Sequence, residues 1–197
     1  MILVSVNDEG VRYECYGKTD QELRKVQGII RENKSALCPE CQAPVQVRIY
    51  PDGLRTNHFY HLASGGGCGY GKGESEEHLL GKTSIRRYLE DCPDWDGCEF
   101  LLEHRIETPE GVRVIDLAVI HPNGEKEAHE AQLSKQSASE FDKRSTLYQE
   151  AGFTPIWWLG SKNETSRNYL YKKYGWVGKI EVEERPVDFG VREYFNK

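Results

Sequence analysis

No stretch of the chain approaches the roughly 18 consecutive apolar residues that a membrane-crossing helix needs, so no membrane association is expected. The opening residues, Met1-Ile2-Leu3-Val4-Ser5-Val6, lack the basic stretch and long apolar core of a secretory signal, which predicts a cytoplasmic protein. A basic excess is also missing. Lys and Arg number 26 against 32 Asp and Glu, a net charge of −6, which argues against a protein that coats nucleic acid without specificity. It leaves room for an enzyme that touches a few phosphates and carries its own acidic metal site. There is no internal repeat, and the composition is neither collagen-like nor coiled-coil. Aromatic residues, in contrast, are plentiful at 11%, which excludes a disordered chain. Six cysteines in a cytoplasmic chain of 197 residues read as metal ligands or buried thiols rather than a disulfide framework.

The length allows one large domain or two small ones. Apolar residues at 1–6, a turn at Asp8-Glu9-Gly10 and a second β-prone run at 11–16 predict a small hairpin. Thr19 or Asp20 caps a helix with Leu23, Val26, Ile29 and Ile30 at helical spacing, ending near Asn33. A β-prone stretch at 45–50 and a turn at Pro51-Asp52-Gly53 follow. The cluster Gly65-Gly66-Gly67-Cys68-Gly69 is the best boundary, dividing residues 1–70 from 71–197. Beyond it the pattern reads helix from Ser75 or Glu76, strands at 100–108, 112–121 and 125–133, a helix from Ser137 or Ser139 through Tyr148, and the buried strand TPIWWL at 154–159. A further helix at 163–174 is expected; the last twenty residues carry no readable pattern. Helix, three-strand meander, helix and strand make an α/β sheet covered on its faces.

An aspartate inside the apolar strand Val114-Ile115-Asp116-Leu117-Ala118-Val119 is costly unless it is paired or binds a cation. The next strand carries Glu130-Ala131-Gln132, with Glu130 and Gln132 on one face. A three-residue loop Pro122-Asn123-Gly124 sets His121 against Glu125 and therefore Asp116 directly against Glu130; a two-residue loop would separate the acids. Two carboxylates and an amide on one face suit Mg²⁺ or Mn²⁺. Glu103 is a third candidate, opposite Asp116 on its other side if residues 108–111 form a four-residue loop. The preceding helix offers Glu77 and His78.

Cys38-Pro-Glu-Cys41 has the spacing of half a zinc site. The other half is sought among His58, His61 and Cys68. The two histidines point to opposite faces of a regular strand, so the expected four-ligand set is Cys38, Cys41, one histidine and Cys68, holding a structural Zn²⁺. Cys15, Cys92 and Cys98 show no pairing logic and read as packing residues.

Together these residues resemble the competence protein CoiA-like family. The resemblance runs through Cys38-Pro-Glu-Cys41, His58-Phe59-Tyr60-His61, Ser75-Glu76-Glu77-His78 with Lys82, Asp116, Glu130-Ala131-Gln132 with Ser134, Arg144 with Tyr148, and Trp157-Trp158-Leu159-Gly160. It implies a PD-(D/E)XK nuclease-like αβββαβ core behind a small N-terminal hairpin, helix and zinc-ribbon-like module. Asp116 and Glu130 would be the metal-binding acids and Gln132 would replace the lysine usual in the wider superfamily. His78 and Lys82 would face the site from one helix, Arg144 and Tyr148 from the other. Val114 stands where a basic residue is often found, with Arg113 one step further away. The expected activity is Mg²⁺-assisted phosphodiester hydrolysis on DNA, in competence or in antiphage defence or a mobile element, with Lys82, Lys135 or Arg144 supplying positive charge. The rival expectation is a catalytically inactive nucleic-acid- or protein-binding subunit of a larger assembly. The run Tyr169-Leu170-Tyr171 with Lys172-Lys173-Tyr174 could stack bases but reads better as the packed face of a helix.

Overall fold

The computed structural model describes residues 1–33, 36–51, 55–62, 68, 74–182 and 189–195. Gly65, Gly66, Gly67 and Gly69 of the expected boundary, and Asp52 and Gly53 of the expected turn, lie outside the described residues. The chain forms two units, Met1–Leu79 and Leu80–Lys197.

The first unit opens with the hairpin β1 (Val4–Val6) and β2 (Arg12–Glu14), closed by the Asn7 side chain, whose Oδ1 accepts the backbone N–H groups of Glu9 and Val11. Helix α1 (Asp20–Asn33) begins in a reciprocal cap: Thr19 Oγ1 accepts the Glu22 N–H at 3.3 Å, and Glu22 Oε2 accepts the Thr19 N–H at 2.8 Å. The antiparallel pair β3 (Val45–Arg48) and β4 (His58–His61) follows. Alternation sets Val45, Val47 and Phe59 inward, where they pack with Ile2, Leu23 and Ile30. Single bridges from Ile2 to Phe59 and from Leu37 to both Val6 and Pro44 join the two hairpins.

The second unit is built on a six-stranded sheet. Helix α2 (Glu76–Glu90) straddles the division, and its residues from Leu80 onward belong here. Then come β5 (Glu99–Thr108), β6 (Gly111–Ile120), β7 (Lys126–Gln132), α3 (Ala138–Glu150), β8 (Thr154–Leu159), α4 (Glu164–Tyr174), β9 (Val177–Val182) and β10 (Phe189–Phe195). The strand order is β10-β9-β8-β7-β6-β5. Strands β5, β6 and β7 form an antiparallel meander, whereas β7, β8 and β9 run parallel, as the helical crossovers α3 and α4 require. The order α2-β5-β6-β7-α3-β8 is the αβββαβ arrangement of a nuclease-like core. Strands β9 and β10 add to it from the region that shows no pattern in the sequence.

The hairpins set the register. Pro122-Asn123-Gly124 form the three-residue loop: the His121 N–H donates to Glu125 O at 2.9 Å, and Gly124 adopts φ +88°. The β5–β6 connection is tighter than the expected four residues, because Thr108 and Gly111 already pair, yet the register is the one expected. Trp157 and Trp158 are fully buried on β8. Phe141 of α3 meets the Trp157 ring edge-to-face with centroids 4.7 Å apart. Trp158 lies so close to β9 that a Cβ on Gly178 would fall 2.0 Å from its ring, so only glycine fits there. No described helix is long and apolar enough to cross a membrane.

Candidate functional site

Asp116 sits where the sheet stops pairing normally. Strands β5 and β6 pair through Leu102 with Leu117 and resume at His104 with Ile115, omitting the Glu103 and Asp116 rung. Strands β6 and β7 pair from Ile120 with Lys126 to Leu117 with His129 and stop one residue short of Asp116. Side chains replace the missing backbone bonds. The Asp116 N–H donates to Glu130 Oε1 at 3.3 Å, and the Ala131 N–H donates to Asp116 Oδ2 at 2.9 Å. Each acid is thus fixed by the other's strand, and both are buried, Asp116 at 7% and Glu130 at 2% exposure.

Helix α3 supplies the surrounding donors. The Tyr148 hydroxyl donates to Glu130 Oε1 at 2.8 Å, and Arg144 forms an ion pair with Glu130 Oε2. Arg144 Nη1 also reaches Gln132 Oε1 at 3.2 Å, while its guanidinium lies 4.8 Å from the Trp157 ring centroid. The spacing of Arg144 and Tyr148, one helical turn, lets both meet one carboxylate. Burial raises the Glu130 pKa to about 7, with the Asp116 charge adding and Arg144 and the Tyr148 bond opposing. For Arg144, burial works against the charge, but Glu130, Tyr148 and Asp116 outweigh it and its pKa is raised. Burial and the Glu130 charge hold the Tyr148 hydroxyl well above its usual range, so it is a donor at neutral pH.

Gln132 is held from two sides. Its Nε2 donates at 2.8 Å to both the backbone oxygen and the hydroxyl of Ser134. Asn163, buried just before α4, donates to Gln132 O at 3.0 Å and Ser134 O at 2.6 Å, and accepts the Gln136 N–H at 2.9 Å. Sequence reasoning missed Asn163, because it lies 31 residues from Gln132 and no local pattern marks it.

The remaining candidates are placed as follows. Glu103 does fall on the rung beside Asp116, but its carboxylate accepts from Lys82 Nζ at 2.7 Å, and both side chains are fully buried. Lys82 is therefore a buried ion-pair partner of Glu103 in this structure. Glu103 also has φ +49°, a left-handed backbone that costs a non-glycine residue roughly 1–3 kcal/mol. His78, one turn before Lys82 on α2, hydrogen-bonds through Nδ1 to Glu74 Oε1 within the first unit. Lys135 is exposed. Tyr169 and Tyr174 donate to Asp142 at 2.6 and 2.9 Å and pack against Phe141 and Leu170, so that aromatic run is the packed face of α4.

In the first unit, the ligand atoms of Cys38, Cys41, His61 and Cys68 all lie within 4.8 Å of one another. Cys38 and Cys68 sulfurs are 3.8 Å apart, and Cys41 Sγ is 3.3 Å from His61 Nε2. A tetrahedral ion with metal–sulfur bonds of about 2.3 Å has sulfur–sulfur edges of about 3.8 Å, so the donor set fits Zn²⁺. All four thiol and imidazole groups are soft or borderline ligands, and the cysteines are free. Burial pushes the Cys38 thiol up to about 11, a value that a bound dication would lower. His58 stands apart from this cluster: it is buried, and its Nδ1 is 2.9 Å from Thr56 O. Of the two candidate histidines, then, His61 joins the cysteines.

A third cluster has no signature in the sequence. Glu127 binds the Trp95 indole N–H at 3.0 Å, His129 Nε2 at 2.8 Å and His121 Nε2 at 3.3 Å. Trp158 Nε1 donates to His129 Nδ1 at 2.9 Å, and Cys98 Sγ lies 3.4 Å from His121 Nδ1, so Cys98 has a polar neighbour beyond mere packing.

Residues 74–176, just over half of the chain, match the family described as competence protein CoiA, nuclease-like domain. No curated protein and no solved structure matches the chain.

Proposed function

The chain belongs to the competence protein CoiA nuclease-like family, and on that premise we propose that its second unit is a Mg²⁺- or Mn²⁺-dependent nuclease acting on DNA. The observation that carries the reading is the pair of buried carboxylates, Asp116 and Glu130, brought together where β6 and β7 cease to exchange backbone bonds. Oxygen donors from Asp116, Glu130 and the Gln132 amide suit a hard dication, and the mutual repulsion that helps raise the Glu130 pKa is what such an ion relieves. When bound, the ion would polarise the scissile phosphate and lower the pKa of a coordinated water.

The chain's own groups do the rest. Arg144 shares its guanidinium between Glu130 and Gln132 and is placed to exchange these partners for a phosphate oxygen, where its planar fork matches two oxygens at once. Tyr148 holds Glu130 by a neutral hydrogen bond, so Glu130 stays oriented when Arg144 leaves. Gln132, anchored by Ser134, orients water but cannot neutralise charge as a lysine does. Asn163 fixes the backbone on which Gln132 and Ser134 sit. In the first unit, Cys38, Cys41, His61 and Cys68 hold a structural Zn²⁺.

The test is cleavage of supercoiled plasmid and of single-stranded DNA with added Mg²⁺ or Mn²⁺. Asp116→Ala and Glu130→Ala are expected to lower the rate at least ~10²-fold, the scale of losing a group that stabilises transition-state charge. Equal cutting by the wild type and both variants ends this reading. A second reading, a non-catalytic nucleic-acid- or protein-binding subunit in a larger assembly, is favoured by one observation: both Glu130 oxygens already have protein donors. Calorimetric titration with Mg²⁺ separates the two, since the nuclease requires binding that Asp116→Ala abolishes.

A further inference from the structure

A cleft in the first unit has no role in the chemistry above. It is about 260 Å³ in volume and is lined by Arg24 and Gln27 of α1, by Val47, Arg48 and Ile49 at the end of β3, and by Tyr60 of β4. We propose that it holds one nucleotide of a single-stranded nucleic acid, with the phosphodiester between Arg24 and Arg48 and the base against the Arg48–Tyr60 pair. The proposal rests on the nucleic-acid reading of the second unit and names a place where the strand is gripped.

Among the described residues the lining contains two guanidiniums and no carboxylate. Among the described residues neither Arg24 nor Arg48 forms an ion pair, although the chain carries 32 acidic side chains. Elsewhere in the molecule arginines lie beside acids, as Arg12 does beside Glu14 and Arg86 beside Glu90. Two cations lining one cleft, with no counter-ion among the described residues of a net-acidic protein, leave a local potential that an anion satisfies. Guanidiniums match phosphate oxygens in a fork, which makes them selective for that anion.

The rest of the lining suits a base. The Arg48 guanidinium carbon lies 4.5 Å from the Tyr60 ring centroid, so cation and ring are already side by side for a base to meet. Val47 itself points into the core, so the contact with a base falls to this pair. Gln27 Nε2 donates to Val47 O at 3.1 Å, which ties α1 to β3 and fixes the cleft width. A second pair of the same kind stands on the same hairpin: the Arg55 guanidinium is 5.5 Å from the Tyr50 ring centroid. On α1, Arg24, Gln27 and Arg31 fall at i, i+3 and i+7 along one stripe, while Leu23 and Ile30 are buried. Basic and aromatic groups thus recur on α1 and on the β3–β4 hairpin, the combination by which proteins hold a strand whose bases are unpaired. A duplex hides its base faces in the stack and offers nothing to the aromatic pair.

The experiment measures fluorescence anisotropy of labelled oligothymidylate, oligouridylate and a short duplex with the full chain, in zinc-replete buffer without Mg²⁺. The wild type is expected to bind the single strands more tightly than the duplex. Charge reversal in Arg24→Glu/Arg48→Glu should weaken single-strand binding at least ~10-fold and reduce the salt slope by roughly 1.4, about 0.7 for each single-strand phosphate left without its arginine. Arg48→Lys, which keeps charge but loses the planar stack, should fall between. Arg105→Glu, in the second unit, should leave binding unchanged. Both substituted residues in the cleft are exposed, so melting temperature and zinc content should match the wild type. Unchanged affinity in the double variant, or duplex binding as tight as single-strand binding, overturns the cleft. If cutting depends on Asp116 while strand binding ignores Arg24 and Arg48, the cleft alone is overturned; no binding and no cutting overturn the nuclease reading with it. The ratio between thymidylate and uridylate tells whether the strand is DNA or RNA.

Discussion

At the scale of single residues, the buried Lys82–Glu103 pair shows how a site residue and a scaffold residue can look alike in sequence. By sequence both are candidates for the acidic centre, yet in the structure their charges face each other at 2.7 Å with no exposure to solvent. Removing one partner of a buried pair costs about 3–5 kcal/mol, because the remaining charge keeps its desolvation penalty, whereas removing both costs much less. Lys82→Met should therefore destabilise the second unit strongly. Lys82→Met with Glu103→Leu should recover most of the loss, as measured by denaturant unfolding of the four members of the cycle. Additive losses in the double variant would mean that the two side chains do not stabilise each other. The sequence could not reveal this pairing: hairpin register set Glu103 beside Asp116 correctly, but the reach of Lys82 from α2 is a tertiary contact with no local signature. The positive φ of Glu103 is equally silent in sequence, since left-handed backbone is usually marked by glycine.

At the scale of elements, alternation and turn residues were enough to place most of the sheet. Strand β8 was legible to its ends, because Thr154–Leu159 is a short apolar run between a glycine-containing turn and Gly160. Register in β6–β7 followed from one loop, Pro122-Asn123-Gly124, and that loop alone brought Asp116 to Glu130. Strand β9 was not legible. Its pairing is parallel, so it depends on the helical crossover α4 rather than on a turn, and Gly178 sits in it for the sake of the Trp158 ring rather than for β propensity. The Glu127 cluster was missed for a related reason, since its members come from β7, β8, the loop after β6 and the segment before β5. Burial opposes the Glu127 charge, but hydrogen bonds from His129 and Trp95 outweigh it and bring its pKa down to about 2. A carboxyl whose pKa is lower folded than unfolded adds stability above the unfolded value, near 4.5, and loses it as pH falls toward 2. Glu127→Gln should remove on the order of 1–3 kcal/mol at neutral pH. It should also flatten the acid limb of the stability curve between those two values. Denaturant midpoints measured across that range decide the matter: parallel curves for wild type and variant would show that Glu127 titrates normally in the folded state.

At the scale of the whole molecule, two units of different size solve the burial problem differently. The second has a six-stranded sheet with fully buried tryptophans, whereas the first has two small hairpins and one helix around a core of few large side chains. So small a core supplies little stability alone, and a metal staple is the usual remedy. The cysteine spacing marked the candidate ligands of such a staple in the sequence, while the choice of His61 over His58 needed the structure, because it depends on which face of β4 meets Cys41. If the ion is as integral as so small a core requires, purified protein should contain about one equivalent of zinc, and Cys38→Ser or a strong chelator should remove it. Hydrogen exchange then locates the consequence. Protection should be lost across β1, β3, β4 and α1, whereas β6, β7 and β8 should keep theirs, since no ligand of the cluster comes from the second unit. Full protection of the first unit in zinc-free protein would make the four ligands a dispensable ornament. Collapse of both units together would instead show that the sheet, despite its own core, does not stand without the cysteine-bearing unit.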